Sequence, residues 1–165
     1  MAIISFKKTA SRYRKELLES IIPFWEKNCV DRKYGGYYTF LDREGTIYDT
    51  DKYIWMQWRI VYEFATLAMS KIKPEKKQDW LEIAEKGYDF LDGWDKKYGG
   101  IFYFKDVLER PHIELQWNMK LWWVHNEALI ATLLGYSLTK DKKLLELFNK
   151  IDKCSLFAGV FSNIV

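Results

Sequence analysis

Residues 119–131 read MKLWWVHNEALIA. Met, Lys, Leu, Glu and Ala favour a helix, and no Gly or Pro interrupts it. On helical spacing Trp123 and Glu127 share a face, while Trp122, His125 and Leu129 fall on the neighbouring stripe. A surface helix has no need of adjacent tryptophans beside a histidine and a carboxylate. A buried helix does not take a carboxylate without a partner. The stretch therefore suits the wall of a pocket that is partly apolar and partly polar. The plain alternatives are a tryptophan core and a structural histidine.

A second stretch favours the pocket. Residues 52–59 read KYIWMQWR, and residues 120–127 read KLWWVHNE. Lys matches Lys, Trp55 matches Trp123, Gln57 matches His125 and Arg59 matches Glu127. One copy places a cation four residues after its Trp, and the other places an anion there. The repetition extends upstream. Residues 31–40 read DRKYGGYYTF and residues 95–104 read DKKYGGIFYF, sixty-four residues later. The chain thus repeats a unit of outer helix, Gly-Gly hairpin and Trp-bearing inner helix. Repeated helix pairs imply a solenoid or a closed toroid, with the inner helices carrying pocket residues at one end and the hairpins at that same mouth.

The spacing predicts a first helix over 9–28, capped by Ser11 and kinked or ended early by Pro23. Tyr37–Leu41 alternates as a strand, 42–45 turns, and 46–48 returns. Thr50 or Asp51 caps a second helix running to about Ser70. Pro74 opens a third that ends near Leu91, and residues 141–152 form a last amphipathic helix. Residues 155–165, SLFAGVFSNIV, are apolar and lack a helical period.

The chain has 165 residues, 48% hydrophobic and 30% charged, which suits one globular domain. Aromatics reach 18%, with eight Trp, which suits an apolar core and also carbohydrate binding, where flat rings cover sugar C–H faces. The net charge of +3 is mild. Lysines near 71–77 and 140–143 have acidic neighbours and sit beside helix ends, as solvated turns do, so no nucleic-acid partner is expected. Cys29 and Cys154 lack metal-ligand spacing and read as reduced thiols of a cytoplasmic protein, with no metal site. Residues 1–6 are too short an apolar run for a signal peptide, and nothing approaches the ~20 apolar residues of a membrane span.

Three stretches carry a family resemblance: FWEKNCVDRKYGGYYTFLDREGTIYDTDKYIWMQWRIVYEF at 24–64, YGGIFYF at 98–104, and LQWNMKLWWVHNEALIATLLGYSLTKD at 115–141. The chain resembles the N-acylglucosamine 2-epimerases, also called renin-binding proteins, and more distantly the cellobiose 2-epimerases. The resemblance implies an all-α fold, part of an (α/α)6 barrel with short β-hairpins at the pocket mouth. It implies an isomerase of amino-sugar metabolism that interconverts N-acylglucosamine and N-acylmannosamine by removing and returning the C2 proton. No cofactor is required for that chemistry. Members of the family can be stimulated by nucleotide, but no Gly-rich phosphate loop is present and no nucleotide site is placed.

Carried onto this chain, Arg59 matches the arginine near the sugar carbonyl, and Glu127 matches the glutamate that supports the acid/base groups. Trp55, Trp122, Trp123 and His125 are expected to line the substrate pocket. The structural alternatives are a helix-pairing arginine and an ion pair between Arg59 and Glu127 themselves. Two departures stand out. The first matched block belongs to the N-terminal part of the family and the second to its C-terminal part. Residues 1–154 are thus expected to form one incomplete toroid joined near 90–94, as in a spliced or mis-assembled product, followed by the apolar tail 155–165. The family's two acid/base histidines lie in Gly-His-x-x-Glu-Trp-like and His-Val-Pro-Arg-like segments, and both segments are missing; the two histidines here are His112 and His125. The competing expectation is an inactive fragment that binds a protein, either a second copy as a homodimer or a protease. A glycosidase would need a second carboxylate opposite Glu127, and no matched motif supplies it.

Overall fold

A computed structural model describes residues 5–89, 93–108, 110 and 115–157. The expected join is only partly covered, since 90–92 lie outside the described residues. Of the apolar tail, 158–165 lie outside them too.

The N-terminal helix starts earlier than expected. Ser5, not Ser11, is the N-cap of α1 (Phe6–Glu16), and its hydroxyl accepts from Lys8 N. A π turn at Leu17–Ile21 leads into α2 (Ile22–Asn28). The chain therefore continues helically through Pro23, which sits in the first turn after the wider π turn, where its missing N–H matters least.

Between α2 and the next helix the expected strands reduce to single bridges, Val30 with Tyr37 and Leu41 with Ile47. Tyr38 N donates to Cys29 O and Asp31 N to Gly36 O within the first bridge, while Tyr37 N is taken by the side chain of Gln57 through Oε1. Regular pairing forms instead between β1 (Asp51–Tyr53) and β2 (Phe104–Asp106), antiparallel, with Asp51 opposite Asp106. Asp51 thus lies in a strand rather than a cap, and α3 (Ile54–Met69) starts from an extended Tyr53 with no side-chain cap.

A 3-10 turn at Pro74–Lys76 opens α4 (Lys77–Asp89). The next helix, α5, is Trp122–Thr139 and not 119–131. Lys120 reaches back to Asp95, and the extended Leu121 takes the same role before α5 that Tyr53 takes before α3. Asp141 caps α6 (Lys142–Phe157), accepting from Lys143 N. The first residues of the expected tail are therefore the end of this helix, with Ser155 buried.

Helix α3 packs against α4 on one side and α5 on the other, and α6 backs α5. Two α/α hairpins thus stand side by side as an arc of a toroid, with α3 and α5 as neighbours. The core lies between them: Trp58, Val61, Phe64, Ala65 and Ala68 of α3, Trp80 and Ala84 of α4, Val124, Ala128 and Ala131 of α5, and Ile151 of α6. Small residues let the axes approach. A Cβ on Gly135 would stand 2.0 Å from the Tyr88 hydroxyl, which donates to Ala131 O and ties α4 to α5. Among the described residues, no helix is long and apolar enough to cross a membrane.

Candidate functional site on the inner wall

The two Gly-Gly turns are built alike, atom for atom. In the first, Asp31 Oδ1 accepts from Lys33 N and Tyr34 N, and Asp31 N donates to Gly36 O. In the second, Asp95 Oδ1 accepts from Lys97 N and Tyr98 N, and Asp95 N donates to Gly100 O. The φ of Gly35, Gly36, Gly99 and Gly100 runs from 68° to 82°, a region that only glycine enters freely. Each turn is then locked by a lysine two residues ahead of an inner helix. Lys52 Nζ lies 2.7 Å from Asp31 Oδ2, and Lys120 Nζ lies 3.0 Å from Asp95 Oδ2.

The locks set pKa values. Burial alone would raise the Asp31 carboxyl, but the Lys52 hydrogen bond and the turn N–H groups hold it below the usual range. Burial lowers the Lys52 ammonium even with Asp31 beside it. Asp95 is lowered first by the Tyr98 N–H and then by Lys120.

These locked turns bring the inner helices into one register. Arg59 and Glu127, each four residues past its Trp, pair Nη2 to Oε1 across the α3–α5 seam. Their side chains keep 46% and 21% of their exposure, so the pair adds under about 1 kcal/mol to stability. Trp55 and Trp123 meet edge to face with centroids 5.4 Å apart, and the Arg59 guanidinium lies 4.9 Å from the Trp55 ring. Tyr53 flanks Trp55 at 5.8 Å, and Tyr103 flanks Trp123 at 5.6 Å. The result is an aromatic shelf with a fork of donors and an acceptor at one edge.

Two expected pocket residues sit elsewhere. Trp122 is about half exposed on another face of α5. His125 is fully buried and both ring nitrogens are engaged: Ile101 N donates to Nε2 at 3.1 Å, and Nδ1 meets Leu121 O at 2.9 Å. An Nε2 that accepts fixes the proton on Nδ1, so the ring is neutral. Burial, with Lys120 nearby, pushes its pKa below the ordinary value.

Two further features involve other residues. Asp49, Asp51 and Asp106 bring carboxylate oxygens within 4.8 Å of one another. Arg110 already bridges Asp49 and Asp106, at 2.9 and 2.5 Å. A groove of about 270 Å³ between α2 and α4 is lined by Glu26, Arg32, Lys76, Asp79, Glu82 and Lys86 and shares no residue with the shelf.

Comparison with known proteins bears on the family and the fold. The family N-acylglucosamine 2-epimerase (GlcNAc 2-epimerase) matches residues 35–93 and 75–156. The chain belongs to the N-acylglucosamine 2-epimerase family. A mouse N-acylglucosamine 2-epimerase is 53% identical over 62 residues, which is 38% of this chain and 15% of the mouse protein. A cellobiose 2-epimerase of Ruminococcus albus is 28% identical over 154 residues, 89% of this chain and 37% of that protein. The solved cellobiose 2-epimerase of Bacillus thermoamylovorans B4167 superposes with a TM-score of 0.74 at 24% identity, over 93% of this chain and 38% of its own. The likeness fixes the fold as part of an (α/α)6 barrel. This epimerase-family chain spans less than two fifths of the length of these relatives.

Tyr53 and Tyr103 are the shelf residues that sequence reasoning missed. Their signal lay in the repeat itself, since Tyr53 abuts the inner helix and Tyr103 closes the second YGG block. Asp31 and Asp95 were also legible as the first residues of the two repeated blocks.

Proposed function

We propose that the shelf is a sugar site for an N-acylated hexosamine of the N-acylglucosamine and N-acylmannosamine type, and that this chain binds such a sugar without epimerising it. Two equivalent positions carry the reading: Arg59 and Glu127 converge at the edge of the Trp55–Trp123 pair in a chain of this family. The rings cover sugar C–H faces. The Arg59 fork suits a carbonyl or enolate oxygen, and Glu127 accepts from hydroxyls or orients a proton-carrying group. Epimerisation at C2 also needs an acid/base group on each face of the enolate, with pKa near neutrality. His125 is occupied as a buried backbone anchor and is a positioning residue rather than a sugar contact. The family's two acid/base segments are missing from the sequence.

Purified chain mixed with N-acetylmannosamine tests this. The expected outcome is saturable binding that Arg59→Ala abolishes, with no N-acetylglucosamine formed. Turnover that disappears in Arg59→Ala would overturn the inactivity, and a lack of binding would overturn the site.

A second reading has its own observation. Trp122, Ile130 and Leu133 leave an apolar face on α5 about half exposed. A protein-binding or subunit-joining module would cover it. Gel filtration separates the readings: a compact monomer favours the sugar-binding domain alone, and a defined oligomer favours the module.

A further inference from the structure

Gln57 and His125 stand at equivalent positions and perform the same task with different chemistry. Each accepts the N–H of the residue that follows the two glycines, Tyr37 N to Gln57 Oε1 at 2.7 Å and Ile101 N to His125 Nε2 at 3.1 Å. An amide oxygen accepts at every pH. An imidazole accepts at Nε2 only while neutral, with its proton on Nδ1 toward Leu121 O. A second proton would set two N–H groups head-on in a site closed to water, where an unmet donor is costly.

The space around Nε2 leaves no easy escape. A Cβ on Gly100 would stand 3.2 Å from His125 Nε2 and 3.0 Å from Lys120 Cδ, so the ring, the turn and the lysine stem are in contact distance of one another. The charged group that bears on the ring is Lys120 itself. The carboxylate of the same turn, Asp95, is engaged by Lys120 and by two turn N–H groups. From α6, Cys154 flanks Gly99, and burial raises its thiol, which keeps it neutral. On the α3 side, Arg59 is paired with Glu127. None of these supplies a free anion to an imidazolium.

The turn that His125 holds carries a wall residue of the site. Two residues beyond Ile101, Tyr103 meets Trp123 at 5.6 Å and Tyr53 at 6.1 Å, and its carbonyl accepts from Ile54 N at the start of α3. We propose that His125 is a proton-sensitive latch, which in its neutral form seats the second turn and Tyr103 against the aromatic shelf and on protonation lets them go, while the first turn, held by Gln57, does not respond. This rests on the sugar-site reading above and adds a regulation to it.

The sign follows from linkage. The folded pKa lies below the ordinary imidazole value of about 6.5, so the unfolded or unlatched chain binds the proton first. The latch is fully formed above about 6.5 and is lost as pH falls through the folded value.

NMR on the 15N-labelled chain tests this between pH 8 and pH 5, following the His125 ring nitrogens and the amides of Ile101 and Tyr37. The Ile101 amide should titrate in step with the imidazole, and its exchange protection should fall by up to about tenfold per pH unit between the ordinary imidazole value of about 6.5 and the folded pKa, levelling off below it. Tyr37 should stay flat. His125→Gln should flatten Ile101, and Gln57→His should add a response at Tyr37 while Ile101 still titrates. An Ile101 amide that stays constant while His125 titrates, or one that still titrates in His125→Gln, overturns the latch. N-acetylmannosamine is the probe for the regulatory arm: its affinity should fall with acid in the wild type and not in His125→Gln. Amide coupling with no sugar binding at any pH would retract the sugar site and the regulation, and leave the hydrogen-bond latch established.

Discussion

At the first turn, both members of the lock are shut away from solvent; at the second, Lys120 and Asp95 keep 23% and 10% of their side-chain exposure. The first turn is held by an amide and the second by an imidazole. One geometry is thus realised as a dry, pH-blind version and a wetter, titratable one. The difference teaches that the repeat conserves the backbone task, which is to seat a Gly-Gly turn against an inner helix. The side chains that perform it are free to vary in burial and charge state.

The largest test of that contrast is removal of the lock. Asp31→Ala should cost about 3–5 kcal/mol in denaturant unfolding, because the buried Lys52 keeps the Gly35 carbonyl but loses the carboxylate that balances its charge. Asp95→Ala should cost markedly less, since Lys120 can turn to water. Equal losses would remove the distinction between the two turns.

A smaller effect comes from the glycines. Gly36→Ala and Gly100→Ala each force a left-handed backbone on a residue with a Cβ, at about 1–2 kcal/mol. Only Gly100→Ala also presses on His125 Nε2 and Lys120, so it alone should shift the His125 ring signals.

The two units are also clipped to each other, and that clip gives a third test. Burial would raise the Asp106 carboxyl, but Arg110 and the Leu108 and Arg110 N–H groups pull it down to about 2. Its contribution is present above the ordinary carboxylate range near 3.9 and is lost as pH falls toward about 2. An acid-unfolding curve should therefore move to higher pH in Arg110→Gln. An unchanged curve would place the clip elsewhere.

The side-by-side seating of Arg59 and Glu127 was legible because each lies four residues past a Trp in a repeated unit, and a repeat copies register. The Lys52 and Lys120 match was legible too, but not its purpose, since each carboxylate partner lies more than twenty residues upstream. The start of α5 at Trp122 was hidden because 119–121 have helical composition, while the tie of Lys120 to Asp95 is long-range. The β1–β2 pairing was hidden for the same reason: three residues in each strand, brought together across the repeat, leave no alternating pattern to read. His125 read as a pocket residue from its neighbours. Its match to Gln57 was the better clue, because an amide and an imidazole share only the power to accept and donate a hydrogen bond.

The smallest expected effect on stability falls at the site itself. Arg59→Ala removes an exposed ion pair and should change unfolding by under about 1 kcal/mol. The same substitution is the most direct test of the shelf. The indole signals of Trp55 and Trp123 are followed by NMR while N-acetylmannosamine is added to the wild type and to Arg59→Ala. Both indoles should shift and saturate together in the wild type and stay still in Arg59→Ala, with the Trp58 and Trp80 indoles of the core unmoved in each. Indoles that ignore the sugar, or that respond equally without Arg59, would contradict the assignment of the inner wall as the sugar site.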